Sequence, residues 1–311
     1  MLLSAAHGGC AAHAPPAAAP ARRLRRGRHA PPRAAAGEGA PEPVVGQGAA
    51  GRQALFNNIA PVYDTLNDVL SLGQHRIWKA RRRSPACRRN ALHRPARRGA
   101  DAPPLARAQE ATVQWSGARA GQAVLDVCCG SGDIALRLAS AVGASGHVTG
   151  LDFAAAQLAV AARREEPLLA SGATSRAAVR WVEGDACALP FPDDAFDAAT
   201  CGYGLRNVVD IPAALAQLRR VLRPGATAAL LDFNNSESPL ARPVQRAALD
   251  NLVVPLARAA GVAAEYEYLA PSIAAFPTGR QQVALARAAG FSRAVHYELA
   301  GGLMGVLVAT K

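Results

Sequence analysis

The chemistry this chain could do is concentrated in Val124-Leu125-Asp126-Val127-Cys128-Cys129-Gly130-Ser131-Gly132-Asp133 and in Gly150-Leu151-Asp152. An apolar run, a tight glycine turn, a helix start and a second run ending in a carboxylate follow the order in which an α/β sheet builds a nucleoside pocket. Gly130 and Gly132 let backbone approach a ligand closely, Ser131 offers a hydroxyl, and Asp152 stands where a carboxylate accepts from ribose hydroxyls. A third carboxylate, Asp185, closes the next run in Glu183-Gly184-Asp185-Ala186. It can accept from an exocyclic amine while backbone at Ala186 reads a ring edge; taken alone, such an Asp is a turn or helix cap. A dinucleotide loop requires G-x-G-x-x-G, whereas Gly130-Ser131-Gly132 continues as Asp133-Ile134-Ala135. That counts against a nicotinamide oxidoreductase.

A second cluster, Gly202-Tyr203-Gly204-Leu205-Arg206-Asn207-Val208, follows the fourth strand, where such folds place the reacting partner of the nucleoside. Arg206 and Asn207 are the polar groups there. A purely structural role is open to both: Arg206 paired with Asp210, and Asn207 capping a helix that starts near Ile211.

The elements that must position these residues alternate. The patterns predict strands at 123–128, 147–152, 179–183, 196–201, 226–233, 293–299 and 303–309, the last two forming an antiparallel pair at a sheet edge. They predict helices at 133–141, 154–164, 211–222, 239–260 and 279–289. Seven strands interleaved with helices make a doubly wound sheet. Ahead of it, Phe56, Ile59, Val62, Tyr63, Leu66, Val69 and Leu70 recur at helical spacing, broken by Pro61 and Gly73, which suggests a cap of short helices over residues 52–79.

Charge and composition narrow the function further. The net charge of +12 lies almost entirely in two segments: residues 1–50 carry +4 and residues 81–111 carry +7, so the remainder is near neutral. A basic recognition surface for nucleic acid would not be distributed that way. Residues 1–50, rich in Ala, Pro and Arg with no acid before Glu38, resemble an organellar transit peptide or a disordered tail. Residues 81–111, rich in Arg and broken by Pro and Gly, lack an apolar face and read as a disordered insertion. The six cysteines, at 10, 87, 128, 129, 187 and 201, include no C-x-x-C pair and no histidine at zinc spacing, so no metal site is expected.

The acid-x-x-x-Gly-x-Gly turn around Asp126 resembles the S-adenosylmethionine loop of Rossmann-like methyltransferases, in which the acid faces the cationic amino acid tail of the ligand. Phe56-Asn57-Asn58-Ile59-Ala60-Pro61-Val62-Tyr63-Asp64, Gly73-Gln74-His75-Arg76-Ile77-Trp78-Lys79, Leu189-Pro190-Phe191 and Gly204-Leu205-Arg206-Asn207-Val208 resemble the ubiquinone/menaquinone biosynthesis C-methyltransferase family. Asp232-Phe233-Asn234 and Gly301-Gly302-Leu303-Met304-Gly305 are similar to its plant and algal, phylloquinone-forming branch.

The resemblance implies a class I methyltransferase fold: a seven-stranded, mostly parallel sheet with an antiparallel last strand and an N-terminal helical cap. It implies a domain over residues 51–311, interrupted by the 81–111 insertion. Asp126, Gly130, Ser131, Gly132, Asp152, Asp185, Ala186 and Gly202 would bind S-adenosylmethionine, and Tyr63, Arg206 and Asn207 would stand at the transferring methyl. The substrate implied is a prenylated naphthoquinol, demethylphylloquinol becoming phylloquinol, with another prenyl quinol of the menaquinone or ubiquinone type, or more remotely an RNA, as alternatives. A chloroplast location, an upstream quinone reductase, and peripheral contact with thylakoid or lipid-body membrane follow from the same resemblance, and no nucleic-acid partner does.

Overall fold

Strand β1 (Ala123–Val127) is covered on both faces, which is why its sequence is an apolar run around a single acid. It lies between β2 (His147–Asp152) and β4 (Phe196–Gly202), parallel to both, with Asp126 opposite Gly150 on one side and Thr200 on the other. The computed structural model describes residues 104–170, 175–238 and 271–311, with isolated positions 243, 247 and 269. Tyr63, the predicted cap, the N-terminal tail, residues 81–103 and nearly all of the helix expected at 239–260 lie outside the described residues.

With β3 (Val179–Glu183), β5 (Leu222–Phe233), β6 (Arg293–Leu299) and β7 (Met304–Thr310), the sheet order is β3-β2-β1-β4-β5-β7-β6. β7 runs antiparallel to both β5 and β6, and every other pairing is parallel. The expected seven-stranded, mostly parallel sheet with an antiparallel last strand is therefore present, and β6 and β7 form the expected antiparallel pair at its edge. The order reverses between β1 and β4, and their carboxyl ends open the crevice in which such sheets bind ligands.

The helices α2 (Asp133–Val142), α3 (Ala155–Ala170), α4 (Ile211–Val221) and α5 (Gly279–Ala288) cover the faces. α2 buries Ile134, Ala135, Leu138, Ala139 and Val142, a single stripe at helical spacing. α4 starts where Asp210 caps it by accepting from the Ala213 amide at 2.9 Å, and it buries Ala214, Leu215, Leu218 and Val221. Each leucine fully buried here, Leu125, Leu138, Leu151 and Leu215 among them, contributes roughly 1.5–3 kcal/mol relative to exposure.

Three boundaries differ clearly from expectation, one of them α3, which runs on to Ala170 where an end at 164 was expected. Helix α1 (Pro104–Trp115) takes in residues 104–111, which composition had assigned to the disordered insertion. Pro104 suits a first helical position, where no amide is needed. The face α1 buries consists of Ala108, Gln109, Thr112 and Val113, too small and polar to register as an apolar stripe. Strand β5 begins early, because Leu222 pairs with Phe196 before Arg223-Pro224-Gly225 loops out and pairing resumes at Thr227 opposite Ala198.

Candidate active site

The cleft at the switch point is lined by Gln109, Asp126, Cys128, Cys129, Gly130, Ser131, Asp133, Ile134, Gly202 and Tyr203. Four predicted cofactor residues, Asp126, Gly130, Ser131 and Gly202, thus border one space. That space is small, about 30 Å³, far below the roughly 300 Å³ at which small-molecule pockets begin. A larger hollow, about 460 Å³, is lined by Asn235, Glu237, Arg280, His296, Glu298 and neighbours, away from the glycine turn.

Asp126 is the most unusual group in the cleft. It is 1% exposed, and because Thr200 stands opposite it on β4, the threonine hydroxyl donates to its Oδ1 at 2.6 Å. Oδ2 is buried with no hydrogen-bond partner. Burial pushes the carboxyl up to about 7, against the Thr200 bond that favours the charge. A half-satisfied buried carboxylate facing a cleft fits a cationic or strongly donating ligand group.

The turn after β1 is held open by backbone conformation. Gly130 has φ +52° and Gly132 φ +86°, left-handed values that glycine adopts without strain. At Gly132 a Cβ would also lie 2.7 Å from the Trp181 ring, so this glycine is required by space as well. Trp181 is in turn fixed by Glu165, whose carboxylate accepts from the indole N–H at 2.9 Å and from the Val179 amide at 2.7 Å.

Asp152 is 5% exposed, and its two oxygens accept from the Gly130 amide at 2.8 Å and the Ala154 amide at 2.9 Å. Burial raises its pKa and those amides oppose the rise. The residue therefore ties the glycine turn to the end of β2, and its carboxylate has acceptor capacity beyond these amides and that of Phe153. Ser131 is turned toward Arg164, whose Nη1 donates to its Oγ and its carbonyl, both at 2.7 Å. Arg164 also bridges to Asp133 at 2.5 Å. Burial opposes the charge on Asp133, but Arg164 and Arg137 outweigh it and hold that carboxyl below its ordinary value. Asp185 is exposed and accepts from the Cys187 amide at 2.8 Å, the turn cap that sequence allowed, while Ala186 beside it is buried.

On the other wall, Gly202 presses against Ile134, since a Cβ there would lie 2.5 Å from the Ile134 side chain. Tyr203 adopts φ +60°, and its hydroxyl lies 3.1 Å from the Met304 sulfur. A short 3₁₀ turn, Leu205–Asn207, follows. Neither structural role weighed for Arg206 and Asn207 is the one found. Arg206 pairs not with Asp210 but with Asp232 at the end of β5, at 2.6 Å. Asn207 does not cap α4, which Asp210 does; its amide donates to the Tyr203 carbonyl at 3.3 Å.

Sequence reasoning missed Gln109, Thr200, Arg164 and Asp232. Thr200 and Asp232 were recoverable from strand register and from the Asp232-Phe233-Asn234 motif; nothing local marked Gln109 or Arg164. Among the described residues no cluster of His, Cys, Asp or Glu could hold a metal ion. No helix among them is long and apolar enough to cross a membrane.

A model of the ubiE/COQ5 methyltransferase family matches residues 47–94 and 106–311. Residues 95–105 lie between the two matched segments. The chain is 52% identical over 256 residues to 2-phytyl-1,4-naphtoquinone methyltransferase of Synechococcus elongatus, covering 82% of this chain and 95% of that one. It is 47% identical over 260 residues to the chloroplastic 2-phytyl-1,4-beta-naphthoquinone methyltransferase of Arabidopsis thaliana, covering 84% and 87%. Among solved structures, a SAM-dependent methyltransferase from Aquifex aeolicus aligns with a TM-score of 0.48 at 19% identity, covering 65% of this chain and 88% of that one.

Proposed function

This chain belongs to the ubiE/COQ5 methyltransferase family, and on that premise we propose that it methylates a ring carbon of a prenylated naphthoquinol, converting demethylphylloquinol to phylloquinol. The observation that carries the substrate is the 52% identity spanning 95% of a relative named for the 2-phytyl-1,4-naphthoquinone reaction. The methyl donor is S-adenosylmethionine, which supplies a methyl group on an electrophilic sulfonium. Asp126, buried with one unpartnered oxygen, fits the cationic amine of its amino acid tail. Gly130, Ser131, Gly132 and Gly202 let backbone close on the donor. Asp152 accepts from the ribose hydroxyls, and Asp185 with Ala186 reads the adenine.

The accepting carbon must be electron-rich, which a quinone ring is not. The two-electron-reduced quinol is nucleophilic, above all with one hydroxyl ionised, so a separate reductase supplies the substrate. Arg206, whose guanidinium offers only N–H donors, is no base. It orients and stabilises the ring oxygen, with Asn207 and Tyr63 on the same side, and the ring proton leaves to water. Alignment of carbon, methyl and sulfur in a closed cleft provides the rest. The Arabidopsis relative is chloroplastic. We place this chain in the chloroplast too, delivered by residues 1–50, in peripheral contact with the membrane that holds its lipid substrate.

The test is purified protein with S-adenosylmethionine and 2-phytyl-1,4-naphthoquinone, with and without dithionite, followed by mass spectrometry of the product. Methylated product is expected only with dithionite. Equal rates on oxidised and reduced ring would exclude the quinol mechanism, and preference for a benzoquinol would reassign the substrate.

A further inference from the structure

We infer that Asp232 is the positioning residue for methyl transfer, acting through Arg206 and leaving that arginine's Nε–H as the donor to the quinol oxygen. The inference rests on the functional reading above. Asp232 is 3% exposed at the end of β5. Its Oδ1 accepts from Arg206 Nη1 at 2.6 Å, and its Oδ2 accepts from the Arg206 backbone amide at 3.1 Å. One carboxylate therefore fixes both the main chain and the head of the same arginine. The Tyr203 carbonyl accepts from the same Nη1 at 2.7 Å, and the guanidinium carbon lies 5.3 Å from the centre of the Phe233 ring. The head group is thus held from two directions and stacked on a third.

Stability is a poor explanation for this arrangement, because a buried ion pair often contributes no more than an apolar pair of the same volume. What the pair does provide is a fixed orientation. Arg206 Nε is buried without a hydrogen-bond partner, and a buried donor is costly to leave unsatisfied. The quinol oxygen is the acceptor it lacks. Negative charge gathers on that oxygen as the ring attacks the methyl, so the bond strengthens toward the transition state and acts on kcat. Asp232 keeps the donor aimed while balancing the arginine charge in the closed site.

Wild-type turnover on the dithionite-reduced naphthoquinone is measured first; its absence would remove the functional reading itself, and this inference with it. Given turnover, Asp232→Asn is expected to lower kcat about 100-fold, as a misaligned group does. The quinol KM and the S-adenosylmethionine affinity should stay within about threefold, because the loss is confined to the transition state. Asp232→Glu keeps the charge and should recover about tenfold of that loss. In an Arg206→Gln background, Asp232→Asn should change kcat by less than about twofold if the two act as a unit. Retained kcat in Asp232→Asn, an equal loss in the Arg206→Gln background, or a matching loss of cofactor affinity would each overturn the assignment. If Asp232→Asn does not fold, Asp232→Glu carries the test: kcat about tenfold below wild type with cofactor affinity unmoved supports it, and unchanged kcat overturns it.

Discussion

Asp126→Asn tests the cofactor cleft through pH. In the ligand-free chain the Asp126 carboxyl titrates at about 7, against 3.8 for an ordinary aspartate, because burial disfavours its charge. The folded state therefore holds a proton between these values that the unfolded state has released, so stability falls as pH rises through that window. A shift of this size corresponds to on the order of 4 kcal/mol, fully incurred above pH 7. Asparagine cannot ionise and can still accept from Thr200, but its amide N–H₂ would replace the unpartnered Oδ2 at a cost of about 1–3 kcal/mol. The variant should therefore be more stable than wild type at pH 8 by roughly 1–3 kcal/mol, an advantage that shrinks and reverses toward pH 5. Urea melts at the two pH values read this directly.

Cofactor binding should show the opposite dependence. Only the ionised carboxylate attracts the cationic amine, so below pH 7 binding must expel the proton. Wild-type affinity should rise about 25-fold between pH 5.5 and 7.5, with close to one proton released at the lower pH. Asp126→Asn should bind weakly and with no such slope. Calorimetry in buffers of different ionisation heat measures both affinity and proton release. A flat wild-type profile, or a slope that survives in Asp126→Asn, would refute the placement of the amine against Asp126.

Asp152→Ala should lose about 2–4 kcal/mol of S-adenosylmethionine affinity, as expected for charged hydrogen bonds. Because Asp152 also holds the Gly130 and Ala154 amides, its melting temperature should fall as well, and unchanged affinity by calorimetry would remove it from the pocket. Gly132→Ala should destabilise the fold by roughly 1–3 kcal/mol, from its left-handed backbone and the contact with Trp181. Pairing it with Trp181→Phe should restore only the steric part. A neutral urea midpoint in Gly132→Ala would show that the turn relaxes freely.

The sheet was legible in the sequence because its signals are local. Strands covered on both faces leave largely apolar runs, and the turn from Gly130 to Gly132 carries glycines, which adopt its left-handed backbone without strain. Helix α1 was hidden for an equally physical reason. It packs through Ala108 and Thr112, whose hydroxyl donates back to the Ala108 carbonyl at 2.7 Å, and it directly follows an arginine-rich stretch that suggests disorder. The site divides along the same line. Asp126, Asp152 and the glycines could be named as a group, because strand ends and turns place them.

Their partners could not be read locally, because the fold brings each one in from another element. Thr200 reaches Asp126 from the neighbouring strand, Arg164 reaches Ser131 from α3, and Asp232 reaches Arg206 from β5. The sequence offered Arg206 a partner four residues away in Asp210, and the fold gave that aspartate to the α4 cap instead. Local spacing thus named Asp126, Gly130, Ser131 and Gly202 among the groups that border the cleft, whereas the packing of strands and helices decides which side chains they meet. That is why the Asp126 titration and the Arg206–Asp232 pair test the function more sharply than any motif does.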